Sequence, residues 1–538
     1  MVAYRRPLIR LGSMLAVLLL VACQRSPATV SAGAPGPASQ AGGAPASGDG
    51  IAWTAGGMDA ALELARREHR PLLVFWSAVW CPYCQQIKAT VFTRPEFIAR
   101  SRQFVPVYLD GDDAGAQKWG ERLQVQGYPT LLVLDAAGRE TQRISGGMKL
   151  ARYAEVLDLA LTDLQPVEAL FAQLRAGKPL PAGGCRRLAW NAWELETLSQ
   201  EEFAPRARDL ERAARYCTRQ AAPDAARLSV FAALLQASAE ADTLAAGQAP
   251  SATLRARVDD VRDELHLHRH DPELADALMA LDADFFRAAA RAYPESDALR
   301  DAYVEAMQAA ADDASLAAAD RLAAVAQQLT AAKLLTAGGA VPPTLAATAR
   351  ARVDAELGRA TAPAIRSGLF NAALNVYDAL GDNQRAYDVA LAELPRSQEP
   401  YYVKADLGEL AEALGRGDEA LRWRAEAYAE AVGAATRFQW GQSYASALLR
   451  IAPGEEARIR DVTLAALGEL DGPDRIYRRA RLRLERLGRE LVRWNADAGG
   501  RHAGVLQALQ ARMQQICVKI PQGEPARASC EAFLAPGA

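Results

Sequence analysis

Pro71-Leu72-Leu73-Val74-Phe75-Trp76 runs into Ser77-Ala78-Val79-Trp80-Cys81-Pro82-Tyr83-Cys84. The first six residues are apolar without alternation, which reads as a strand buried on both faces. The second stretch ends in two cysteines three apart, with a proline directly after the first. Proline is favoured at the first position of a helix, so a helix is expected over 81–92. A helix N-terminus presents unpaired N–H groups and a positive partial charge. That field favours thiolate over thiol at Cys81, and the thiolate is the form that attacks a disulfide. Cys84, one turn on, is close enough to resolve the mixed disulfide. The competing uses of such a pair are half of a zinc site and an inert disulfide. A zinc knuckle needs a second close pair, and no other Cys-x-x-Cys exists in the chain.

Working outward, 58–69 reads as a helix, 104–109 as a strand and 114–125 as a helix. Strands at 130–134 and 140–144 flank the turn Asp135-Ala136-Ala137-Gly138, a hairpin signal. A last helix is expected over 150–161. Helices alternating with strands and a terminal hairpin indicate an α/β sandwich with a mixed sheet over 51–165. Gly127-Tyr128-Pro129-Thr130 precedes the first hairpin strand.

These pieces together resemble the thioredoxin-like family, close to the C-terminal periplasmic domain of the transmembrane disulfide reductases. The matching residues are Trp80-Cys81-x-x-Cys84, Asp110, Tyr128-Pro129-Thr130, Asp135 with Gly138, and Gly146-Gly147. The resemblance covers about a fifth of the chain. It implies that Cys81 is the catalytic nucleophile, Cys84 the resolving thiol and Pro129 a cis proline facing them. It further implies that Trp80, Pro82, Tyr83, Tyr128 and Pro129 contact a client chain, which pairs with the exposed backbone as an extra strand. The only cofactor implied is the redox-active disulfide itself. Two departures stand out. Members of the family usually carry a buried aspartate six residues before the first cysteine, and here that position is Phe75. The Pro82-Tyr83 dipeptide also differs from the Gly-Pro of thioredoxins, although nothing around it points to glutathione use.

From 166 to 515 the chain is rich in Ala, Leu, Arg and Glu at helical spacing, and a large all-α region of about fifteen helices is expected. Leu380-Gly381-Asp382 and Leu414-Gly415-Arg416 lie 34 residues apart, as do Ala386 and Ala420. With Tyr377, Gly408 and Ala427 they resemble a degenerate tetratricopeptide repeat near 366–435, against the plainer alternative of an alanine-rich bundle. His266, His268 and His270 alternate just before Asp271-Pro272, so they read as a helix end rather than a metal site. Trp423 and Trp440 read as core. The run Arg478-Arg479-Ala480-Arg481 reads as a solvated helix face, and the slightly acidic balance, a net charge of −3, argues against nucleic acid.

Arg5, Arg6 and Arg10 precede an apolar stretch at 11–22 that is short for a membrane span and fits a signal peptide over 1–22. It ends in Leu20-Val21-Ala22-Cys23, which resembles the lipobox of bacterial lipoproteins and implies lipidation of Cys23. Removing the signal leaves a net charge near −6. Residues 23–50 are almost wholly Ala, Gly, Ser, Pro and Gln, a disordered tether reaching about 30 Å. By resemblance, Gln24 points to the outer membrane, with the protein facing the periplasm of a bacterial envelope. Cys185, Cys217, Cys517 and Cys530 remain, the last two bracketing the start of a C-terminal tail over 516–538. In an exported chain an even remainder suggests structural disulfides, and of three pairings the local ones, Cys185–Cys217 and Cys517–Cys530, are favoured.

The expected function is thus a cell-envelope thiol–disulfide oxidoreductase, in the reductase direction, with disulfide-bearing client proteins. A transmembrane disulfide reductase is the expected donor and the lipid anchor the contact with the membrane. The alternative is an interaction scaffold that uses the thioredoxin-like unit for docking. The chemistry is expected to need only 51–165.

Overall fold

The computed structural model describes residues 50–534 apart from 114, 126, 145–149, 294–296, 337, 473 and 474. The signal peptide, Cys23, the tether before Gly50 and the Gly146-Gly147 pair lie outside the described residues. Four strands form one mixed sheet: β1 (Leu72–Ser77), β2 (Val105–Asp110), β3 (Thr130–Leu134) and β4 (Glu140–Ile144). Their order is β2-β1-β3-β4. β1 runs parallel to β2 and antiparallel to β3, and β3 pairs antiparallel with β4. Around them lie α1 (Gly57–Glu68), α2 (Pro82–Thr90), α3 (Pro95–Ser101), α4 (Ala116–Arg122) and α5 (Leu150–Thr162).

β1 is buried throughout, and apolar from Leu72 to Trp76, because helices cover both sheet faces. Leu72, Val74 and Trp76 pack with Met58, Ala61 and Ala65 of α1 and Ala116 of α4. Leu73 and Phe75 pack on the other side with Cys84 and Ile87 of α2. Removing such residues from water contributes about 1.5–3 kcal/mol per large side chain. α3 lay outside the elements expected from sequence. Its signals are Pro95 at the first helical position and Glu96 in the first turn, where acids suit the helix dipole. α4 is shorter than the 114–125 expected, because Leu123 leaves helical geometry and Gln124 takes a left-handed φ of 51°.

From Val167 to Glu531 every element among the described residues is helical. There are more helices than expected, since several are as short as Gly184–Ala189 and Ala241–Ala245. Gly408 lets Pro400–Ala413 and Gly417–Glu430 approach closely: a Cβ there would meet Arg424 Cγ at 2.7 Å and the Ala420 carbonyl at 3.3 Å. Cys185 is bonded to Cys217 and Cys517 to Cys530, each pair tying a helix to its near neighbour in sequence.

The helical region is not a separate body on a linker. One apolar core runs from Ile51 through Cys81 and Cys84 to Trp423. The outer edge of β4 is sealed by the 187–195 segment: Ala192 N–H donates to the Arg143 carbonyl at 3.0 Å, and Arg143 N–H donates to Asn191 Oδ1 at 2.9 Å. A covered edge strand cannot pair with another chain. The helix Pro363–Leu380 lies on α2, where Gly368 leaves room for Gln86, whose Oε1 would stand 2.7 Å from a Cβ at that position. At the other side two carboxylates reach across. Asp112 accepts from Thr436 N–H at 2.9 Å and from its hydroxyl at 2.6 Å, in the first turn of Ala434–Ile451. Glu121 accepts from Arg478 N–H at 3.2 Å and from the Arg481 guanidinium at 2.6 Å, at the start of Arg478–Asp497. Both satisfy helix N-termini that carry no cap of their own.

Candidate active site

Cys81 is the N-cap of α2, with Pro82 at the first helical position. Its Sγ accepts the Cys84 N–H at 3.1 Å, so the sulfur sits at the helix N-terminus, where partial positive charge concentrates. Cys81 and Cys84 are disulfide-bonded. Cys84 is fully buried and Cys81 is only 2% exposed, so the pair is enclosed rather than on an open surface.

The reason is a roof of aromatic side chains. Tyr128 lies flat on Trp76 (5.5 Å between centroids, 3°) and meets Trp80 edge-on at 5.3 Å. Gly111 makes this possible, since any Cβ there would strike the Tyr128 phenol. Tyr402 of the helical region stacks on Trp80 at 5.5 Å, and Trp440 meets Tyr402 at 6.0 Å. Trp80 Nε1–H donates to Thr436 Oγ1 at 2.7 Å. The Tyr128–Pro129 bond is cis. Trp80, Cys81, Pro82, Tyr83, Tyr128 and Pro129 all open onto one cavity of about 820 Å³ between the sheet domain and the helical region. That volume lies within the ordinary range of ligand pockets, about 300–1,000 Å³.

Phe75 occupies the place of the missing aspartate, fully buried against Phe92 and Tyr108. A carboxylate is nevertheless present on that sheet face. In the parallel register Phe75 pairs with Tyr108 and Ser77 with Asp110, so Asp110 lies two residues further along the face that carries α2. Asp110 is 6% exposed; Oδ1 accepts from Asp112 N–H at 3.0 Å and Oδ2 is buried without a hydrogen bond. Burial pushes its carboxyl up to about 6, and the charges of Asp112 and Asp113 push the same way, against the Asp112 N–H and Lys88.

Two sequence expectations are corrected here. Arg478-Arg479-Ala480-Arg481 is not a solvated face: Arg481 pairs with Glu121, and the Arg479 guanidinium lies 4.8 Å from the centre of the Tyr128 ring. Trp440 is not core but lines the cavity, whereas Trp423 is buried, its indole N–H donating to the Tyr387 hydroxyl at 3.1 Å. His266 and His268 close the helix Ala252–His268, and His268 and His270 lie near Glu264 (3.7 Å) and Glu305 (3.2 Å) respectively. Among the described residues no group of three His, Cys, Asp or Glu is placed to hold a metal, and no helix is long and apolar enough to cross a membrane. Sequence reasoning missed Asp112, Tyr402 and Thr436, since no local pattern marks a residue that contacts another more than 300 positions away, and it missed Arg483, which only the fold turns into the cavity.

No curated protein matches this chain. Among solved structures, a DsbH oxidoreductase is similar at 22% identity over 21% of this chain and 85% of that one, with a TM-score of 0.20. Residues 58–161 match the family of the thioredoxin-like domain, and with the mixed sheet and the Cys81–Cys84 pair they form such a domain, followed by a large all-helical region.

Proposed function

We propose that this protein is a thiol–disulfide oxidoreductase of the bacterial cell envelope that reduces client disulfides through Cys81 and Cys84. The observation that carries the reading is the position of the Cys81 sulfur: on the α2 N-terminus, bonded to Cys84, and lining a cavity with the Trp80 and Pro129 side chains. In the reduced protein the Cys81 thiolate attacks one client sulfur. The client S–S bond breaks, and the other sulfur leaves as a thiolate and takes a proton from water. Cys84 then loses its proton and attacks the Cys81 sulfur of the mixed disulfide. The Cys81–Cys84 bond forms, and the second client sulfur leaves as a thiolate. Two electrons pass from protein to client, so a dithiol donor must restore the thiols, and a transmembrane disulfide reductase is the donor we favour. Asp110 is the carboxylate we assign to accept the Cys84 proton in place of the residue that Phe75 replaces. Lipidation of Cys23 would hold the domain on the periplasmic side, at the outer membrane by the Gln24 rule. The tetratricopeptide-like pairing near 366–435 supplies part of the wall facing α2.

The test is direct electron transfer. Pre-reduced protein mixed with an oxidised cystine peptide should yield peptide thiols and re-formed Cys81–Cys84, with Cys81→Ser inert. Absence of transfer by the wild type would contradict the assignment.

A further inference from the structure

One wall of the cavity carries three arginines. Arg479, Arg483 and Arg486 follow at four and three residues along Arg478–Asp497, so they share one helix face, and all three line the cavity that Cys81 opens onto. Arg486 is paired with Glu490 at 3.3 Å. Among the described residues the other two meet neutral oxygens: Arg479 donates to Gln439 Oε1 at 3.1 Å and Arg483 to Gln442 Oε1 at 3.4 Å. Arg479 also lies over the ring of Tyr128, which in turn touches Trp80. Burial and the like charges of Arg479 and Arg486 push the Arg483 guanidinium down to about 9. Half-buried like charges are costly to hold together unless an anion joins them, and a guanidinium fork suits a carboxylate.

We infer that Arg479 and Arg483 form an anion subsite beside Cys81 that takes a carboxylate flanking the disulfide of the substrate. This rests on the oxidoreductase reading and narrows it: the preferred substrates are small or extended disulfides bearing carboxylates, since the cavity is too confined for a folded protein face.

The experiment measures oxidation of the pre-reduced full-length mature protein by two aromatic disulfides, the dianionic 5,5′-dithiobis(2-nitrobenzoate) and the neutral 2,2′-dithiodipyridine. Rates are compared in wild type, in the double variant R479Q/R483Q and in the charge-preserving R479K/R483K. The expected result is that the ratio of dianionic to neutral rate falls about tenfold in the glutamine variant, and that the lysine variant keeps most of it. Added salt should lower the wild-type ratio toward that of the glutamine variant. An unchanged ratio would overturn the subsite, and so would an equal fall for both probes, which would mean that the arginines act on the thiolate instead. Single Arg479→Gln and Arg483→Gln variants give the same comparison if the double variant does not fold. Failure of wild type to react with either probe would instead overturn the oxidoreductase reading, and the subsite with it.

Discussion

Trp80 donates its indole N–H to Thr436 at 2.7 Å, and the same hydroxyl donates to Asp112 at 2.6 Å. The residue before Cys81 is therefore tied to a helix 356 positions away, through a threonine whose own N–H is capped by the sheet domain. Thr436→Val and Asp112→Ala should each destabilise the protein by about 1–2 kcal/mol in denaturant melts, the cost of a lost cap and an unpaired buried group. They should also speed alkylation of reduced Cys81, because the roof over Trp80 loosens. Unaltered stability and labelling would show that this bridge does not hold the helical region on the site.

Asp110 makes a pH-dependent prediction of definite sign. Its carboxyl is raised from 3.8 to about 6 in the fold, so folding favours the protonated form. That contribution is complete below about pH 4 and is lost as pH rises through about 6. Asp110→Asn stays neutral throughout, so its stability relative to wild type should improve between pH 4 and pH 7, by on the order of 1–3 kcal/mol. If Asp110 also accepts the Cys84 proton, the variant should resolve mixed disulfides at least about tenfold more slowly. A flat stability difference across that range would mean that Asp110 titrates normally.

The two remaining disulfides belong to the scaffold. Mapping of non-reduced peptides should find Cys185 joined to Cys217 and Cys517 to Cys530. Replacing either pair by alanine should cost about 2–4 kcal/mol, largely through the freed unfolded chain, without stopping electron transfer. Free thiols at these four positions in the non-reduced protein would contradict the assignment.

The anchor is tested in cells. Wild type should incorporate labelled palmitate and fractionate with membranes, whereas Cys23→Ser should lose the label and be left unprocessed or released. An unlabelled wild type would remove the lipoprotein assignment.

The thioredoxin-like part was legible because its signals are local. The apolar run from Leu72 to Trp76 reports cover on both sheet faces, and Trp80-Cys81-Pro82-Tyr83-Cys84 places two sulfurs on the first turn of a helix. The enclosure of that site was not legible. Arg479 has the pattern of a solvent-facing arginine, and only the fold brings Tyr128 beneath it. Trp440 has the composition of a core residue, yet the helix Ala434–Ile451 turns it toward the cavity. Asp110 was visible as part of the family resemblance, but its place two residues along the same sheet face from Phe75 needed the β1–β2 register. The expectation that 51–165 suffices meets a core that runs on into the helices, with Leu369 and Phe370 in the same cluster as Cys84.

The division of labour between the two cysteines is the central claim, and trapping tests it most directly. Cys84→Ser, reduced and mixed with an oxidised cystine peptide, should accumulate a stable mixed disulfide that mass spectrometry locates at Cys81, while Cys81→Ser should trap nothing. A peptide found bonded to Cys84 in Cys81→Ser, with none at Cys81 in the reciprocal variant, would contradict the account.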